Sequence, residues 1–190
     1  GGFALVYEPL DDGVAAKNGG WEPGQETANA NKAINDPDAM VLMGTYNSGA
    51  AKIAIPLLNQ VQPAGMAMIS FANTGVGLTV AVEGATDPGE PDIYYPAGFR
   101  NYCRVCPADH IQGGASARWA YTTQGYTKAY VLDDNSYYGK GIATVFRNTF
   151  EELGGEILGA ESYDPSLDNY QTLMTSIADK GPQIVYVGAT

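Results

Sequence analysis

The feature that most narrows the fold is a change of hydrophobic period repeated along the whole chain, from short β-like runs to helical patterns and back. Parallel strands cannot be joined by a tight turn and need a crossover, ordinarily a helix, so the alternation predicts an α/β protein built on parallel, doubly wound sheets. The strand-like runs are FALVYEP (3–9), AMVLMG (39–44), GMAMIS (65–70), NYCRVCP (101–107), KAYVLDD (128–134), EILGAESY (156–163) and QIVYVGAT (183–190). Helical spacing is predicted over 25–35, over 48–60 with Pro56 late enough to bend the helix, over about 109–124, and over 139–153. In the last of these Ile142, Phe146, Phe150 and Leu153 form one stripe before a Gly154-Gly155 stop. A further helix should carry Leu167, Tyr170, Leu173, Met174 and Ile177 on one face. Residues 11–24 read as a polar, Gly-rich excursion, and residues 72–99 as mostly loop with a short helix or strand near LTVAVEG.

A composition break at Pro107-Ala108-Asp109 divides the chain into 1–107 and 108–190. Each part carries about the same acidic excess, and the whole has 21 acids against 10 bases, a formal charge of −11. That charge repels phosphate backbones and anionic lipid, which excludes nucleic acid and membrane surfaces as expected partners. Cys103 and Cys106 lie three apart in an extended run, so they point to opposite faces and read as two small buried thiols rather than a bridge. No second cysteine pair exists and the single histidine, His110, cannot complete four ligands, so no metal site is expected.

Ligands of open parallel sheets bind beyond the carboxyl ends of the strands, which directs attention to three loops. In TYNSGAA, Asn47 or Ser48 can cap the following helix and leave backbone N–H groups and a positive dipole end facing the crevice, an anion cradle. In FANTG, Thr74 offers a hydroxyl and an N–H, and the Ala72 carbonyl can accept from an ammonium group. Together the two loops can hold a zwitterion. In DDNSYYGKG, Tyr137 or Tyr138 can cover a ligand and Asp133 or Asp134 can meet a positive group. Each residue also has a plainer reading: Ser and Asn before helices are ordinary caps, and most of 13 tyrosines pack.

Catalytic constellations are poorly supplied. Ser48 stands in Y-N-S-G-A rather than G-x-S-x-G, no motif places a base, and neither nucleotide-binding glycine pattern follows a strand. No enzyme activity and no cofactor are expected.

Taken in order, GTYNSGAAKIAIPLLNQ, GMAMISFANT, NYCRVCPADHIQG, KAYVLDDNSYYGKG and the helix with its GG stop resemble the periplasmic leucine/isoleucine/valine-binding family of ABC-transporter receptors, over 25–190. The resemblance implies a type I periplasmic-binding-protein fold of two α/β lobes, the first (1–107) lacking its opening strand and the second (108–190) incomplete. It implies that Ser48 and Thr74 hold a carboxylate, that Ala72 receives an amine, that Tyr138 lines the second lobe, and that Asn47 and Thr190 are further contacts. The implied function is a solute-binding receptor capturing an amino acid or related amide or carboxylate for an ABC permease. Its implied location is periplasmic or extracellular, free or anchored through a segment ahead of Gly1. A ligand-sensing ectodomain of a membrane signalling protein is the alternative use of the same fold. The chain departs from the family pattern in having Phe71 where a proline is usual, a long polar insert at 11–20, and no first β-α unit before Phe3. A lobe without that unit should expose sheet edge and apolar surface.

Overall fold

The computed structural model of the protein describes Gly2 and residues 4–190. It has two three-stranded parallel sheets. Strands β1 (Val41–Met43), β2 (Ala67–Ser70) and β3 (Tyr102–Arg104) follow one another in space, with Val41 opposite Ala67 and Met68 opposite Tyr102. In the second sheet β4 (Lys128–Asp133) is central between β5 (Glu156–Ser162) and β6 (Ile184–Gly188). The chain leaves β4 to one side and returns on the other, so the strand order reverses at β4 and opens a crevice beyond its carboxyl end.

Local chemistry accounts for the helices. Helix α1 (Pro23–Asn35) opens with proline at its first position, where no N–H is needed, and the Glu22 carboxylate accepts from the Gln25 N–H at 2.9 Å. Helix α2 (Ser48–Asn59) turns Ala51, Ala54, Ile55 and Leu58 into the first core, where they meet Met68, Leu78, Tyr94, Tyr95 and Tyr102. Helix α3 (Asp109–Arg118) runs on into a π-helical turn, Trp119–Thr123. It lies close against α4 (Tyr137–Glu152) because Gly113 has no side chain: a Cβ there would stand 3.0 Å from the Ile142 carbonyl and from Val145. Helix α4 begins two residues before the predicted 139, since Ser136 Oγ accepts from the Gly139 N–H at 2.9 Å and caps it. Gly154, at φ +95°, stops it in the left-handed conformation expected of a C-terminal glycine. Phe146 and Phe150 of the predicted stripe are fully buried and stacked 5.5 Å apart, and Phe146 also stacks on Tyr186 at 4.0 Å.

Three expectations are corrected. Residues 4–9 form no strand, because nothing among the described residues pairs with them, and Leu5, Val6 and Tyr7 are exposed; Phe3 lies outside the described residues. The helix after β5 is shorter than its pattern, α5 (Gln171–Asp179), because Asp164 takes N–H and hydroxyl bonds from Ser166 and folds a turn that leaves Leu167 exposed and Tyr170 at the cap. Of its predicted apolar face only Ile177 is fully buried. The region 72–99 is mostly loop, as expected, with two short 3-10 helices, Val76–Leu78 and Asp92–Tyr94. Cys103 is exposed and Cys106 half-buried, not buried thiols, since β3 is an edge strand whose outer face is uncovered; both are free. At the opposite edge Met40, Val41 and Met43 are exposed beside β1.

Replacing Phe146 with Ala should cost about 3–5 kcal/mol, because it removes a wholly enclosed ring and the stacking of two neighbours. Urea unfolding followed by circular dichroism measures it, and a loss below 1 kcal/mol, within the about 0.5 kcal/mol scatter of surface changes, would contradict the assigned core.

Candidate functional site

The loops after β1 and β2 are bound together by one buried amide. Asn73, fully enclosed, donates from Nδ2 to the Thr45 carbonyl at 2.9 Å and the Tyr46 carbonyl at 3.0 Å. Ser70 Oγ donates to the same Thr45 carbonyl at 3.0 Å and accepts from the N–H groups of Ala72 and Asn73. From β3, Arg104 donates to the carbonyls of Asn73 at 3.0 Å and Gly75 at 2.7 Å, and also to the Thr79 hydroxyl. The three strand ends thus form one rigid polar shelf.

Ser48 sits on that shelf at the first position of α2, buried, with its Oγ accepting from the Gly75 N–H at 3.1 Å. Asn47 holds the cap position, but its side chain makes no capping bond, and its carbonyl accepts instead from Thr45 Oγ1 at 2.7 Å. A Ser48 hydroxyl that only accepts from protein keeps its own proton free to donate. Ala72 is half-buried beside these groups. Among the described residues the buried Thr74 hydroxyl and both carboxyl oxygens of Asp109 have no partner in good hydrogen-bond geometry, although the hydroxyl lies near enough to the carboxyl to act on its charge, and the Thr74 carbonyl accepts from the Asp109 N–H at 2.9 Å. Burial raises Asp109 to about 6, against the pull of the Thr74 hydroxyl and the Arg104 guanidinium.

From the second sheet, the two tyrosines at the start of α4 diverge. Tyr138 is half-buried, its phenol held up by burial and by the charge of Asp109, with Tyr46 also within its field. Tyr137 reaches the first sheet: its hydroxyl donates to Glu90 at 2.8 Å, and burial followed by that bond raises its pKa strongly. Thr190 is exposed and committed elsewhere, donating from its N–H at 3.0 Å and its hydroxyl at 3.2 Å to Asp134. Burial works against the Asp134 charge, but donations from Ser136 and Thr190 hold its pKa below the ordinary value. Asp133 accepts from the Asn135 N–H and Ser162 Oγ. An open hollow of about 470 Å³ lies beyond β4 and β5, lined by Asp134, Ser136, Ser162, Tyr163 and Asp164, and does not include Ser48 or Thr74.

The structure therefore brings Ser48, Ala72, Thr74 and Asn47 together at the ends of β1 and β2, places Tyr138 at the start of α4 within the field of Asp109, and leaves Thr190 apart on Asp134. Sequence reasoning missed Asn73, Arg104, Asp109 and Glu90. Arg104 was detectable as a charge inside an otherwise apolar strand, and Asp109 as an acid opening a helix directly after Pro107-Ala108. Asn73 and Glu90, in loops without periodicity, left no such signal.

A model of the periplasmic binding protein family matches residues 14–190. The chain is 25% identical over 167 residues to the Leu/Ile/Val-binding protein homolog 3 of Brucella melitensis, covering 88% of this chain and 40% of that protein. Among solved structures it is similar to a solute-binding protein of an ABC transporter from Rhodopseudomonas palustris in complex with p-hydroxybenzoic acid (TM-score 0.69, 21% identity, 86% of this chain and 39% of that one). It is also similar to an ABC transporter substrate-binding protein from Desulfitobacterium hafniense in complex with Leu (TM-score 0.61, 20% identity, 86% and 43%). The chain spans less than half the length of each.

Asp109 generates a prediction of pH dependence. An acid whose folded pKa is raised binds more protons folded than unfolded, so its stabilising contribution is complete below the unfolded value of 3.8 and is lost as pH rises through about 6. Asp109→Asn should remove this term, so that between pH 4 and pH 7 the variant gains about 2 kcal/mol of stability relative to the parent. Urea unfolding at the two pH values tests it; parallel pH profiles for the two proteins would disprove it.

Proposed function

The chain belongs to the periplasmic binding protein family, and from that premise we propose that it captures a small carboxylate, an amino acid or a related amide or acid, as part of a solute-binding receptor for an ABC importer. The observation that carries this reading is the Gly75 N–H bond to Ser48 Oγ, which joins the loops after β1 and β2 while leaving the hydroxyl proton and the α2 dipole for an anion. The relatives support the choice of ligand class. One is named for Leu, Ile and Val, one structure holds Leu and another holds p-hydroxybenzoic acid, and a carboxylate is what all these molecules share.

In this reading the chain divides near Pro107 into two lobes, 1–107 and 108–190, that close on the ligand. Ser48 and Thr74 donate to the carboxylate, with Asn47 flanking them, and the Ala72 carbonyl accepts from an ammonium group where the ligand has one. Tyr138 approaches from the second lobe. Thr190 contributes only by releasing Asp134. Affinity comes from charge-assisted hydrogen bonds and burial of the ligand in the closed cleft, and no covalent bond is made or broken. The receptor works in the periplasm or outside the cell, free or anchored, and delivers its ligand to a membrane permease.

Isothermal titration of the protein with amino acids, amides and benzoates should show binding by a subset sharing a carboxylate. Ser48→Ala and Thr74→Ala should each weaken that binding by about 1–3 kcal/mol, with circular dichroism unchanged. Binding of no compound in the panel, or full affinity in both variants, would refute the reading.

A further inference from the structure

One charged side chain outside the cradle is enclosed completely. Glu90, in the long loop between β2 and β3, has no exposed side-chain surface. Its Oε1 accepts from Tyr94 at 2.5 Å and from Tyr137 at 2.8 Å, and its Oε2 from the Asp87 N–H at 2.9 Å. The Lys52 ammonium, one turn along α2 from Ser48, lies 3.7 Å from Oε1 and 3.8 Å above the Tyr137 ring. Tyr94 belongs to the first core and Lys52 to α2, whereas Tyr137 opens α4 and reaches across to pack against that first core.

Two glycines make room for this arrangement. A Cβ on Gly75 would stand 2.6 Å from Tyr137 Cε1 and 3.3 Å from Ser48 Oγ, so the Tyr137 ring and the Ser48 side chain flank the same backbone unit. A Cβ on Gly77 would stand 2.7 Å from the Tyr137 hydroxyl and would collide with Glu90. Gly75 has φ −49°, a value open to any residue, so the need for glycine there is spatial rather than conformational. A tyrosine placed only to fill a core would not require an enclosed carboxylate as its partner, because burying that charge is expensive unless specific bonds hold it.

We propose that Glu90 is a positioning residue for the carboxylate cradle, holding the Tyr137 ring of the second sheet on Gly75 beside Ser48 and so joining the two halves of the cleft. The role rests on the reading of the Ser48 loop given above. It makes Tyr137, not only its neighbour Tyr138, a wall of the ligand site, and it assigns a task to the long loop that carries Glu90. Lys52 balances the buried charge and packs its ammonium on the Tyr137 ring.

Amide hydrogen exchange in the absence of any ligand tests it, comparing the parent with Tyr137→Phe, Glu90→Gln and the double variant. Tyr137→Phe keeps the ring and removes only the hydroxyl. Each single change should speed exchange roughly tenfold or more in both 74–78 and 137–141, the double change should add little to either, and amides of β4 should stay as slow as in the parent. Acceleration confined to one of the two segments, additive effects, or an equal acceleration in β4 would overturn the proposal, the last by showing a merely global loss of stability. Since no ligand enters the experiment, a failed ligand panel leaves its outcome untouched, and a failed exchange result leaves Ser48 and Thr74 to be judged by titration.

Discussion

Everything near the cradle depends on a single buried carboxamide. Asn73 has no access to water, so each of its polar groups must find a partner within the protein. It finds them on three different chain segments: the carbonyls of Thr45 and Tyr46 after β1, the Ser70 hydroxyl at the end of β2, and Arg104 in β3. Separate loops would each cost conformational entropy to order. Bound through Asn73 they order together, and the position of the Ser48 hydroxyl follows from the position of the shelf. A carboxylate held by donors fixed in advance does not have to supply the energy to arrange them.

Charge on this shelf is arranged asymmetrically. Arg104 spends its guanidinium on backbone carbonyls of 73–76 and the Thr79 hydroxyl, with no acid among the described residues directly hydrogen-bonded to it, so a positive charge is held beside the cradle by neutral acceptors. Asp109, a buried acid at the start of α3, carries a raised pKa because burial outweighs the Thr74 hydroxyl and the Arg104 field. In a chain with formal charge −11, a site for an anion needs such local compensation, because the long-range field opposes it.

How much of this was legible in the sequence can be argued residue by residue. The alternation of periods identified the parallel α/β sheets and five helices because burial of one face imposes a period that local chemistry does not disturb, as in Ile142, Phe146 and Phe150. It failed where strand character depends on a partner: Leu5, Val6 and Tyr7 have β-like composition, yet a strand is a paired object and nothing among the described residues pairs with them. It failed again at Leu167, where turn bonds to Asp164 competed with a helical pattern and won. The Ser48 and Thr74 loops were legible through their place after strands, but the contacts between them, through Asn73 and Gly75, join residues 27 or 28 apart and have no periodic signature.

Gly75 is where these effects meet. Its N–H donates to Ser48, its carbonyl accepts from Arg104, and its bare Cα faces the Tyr137 ring. The shelf and the second sheet therefore both act on Gly75, the one through hydrogen bonds to its N–H and carbonyl and the other through packing on its Cα. A displacement of α4 large enough to free Tyr137 would remove that packing, while loss of the Ser48 bond would free the N–H. Hydrogen bonds with Ser48 and Arg104 and packing from Tyr137 are thus two independent restraints on one residue, and neither has to be broken for the other to be lost.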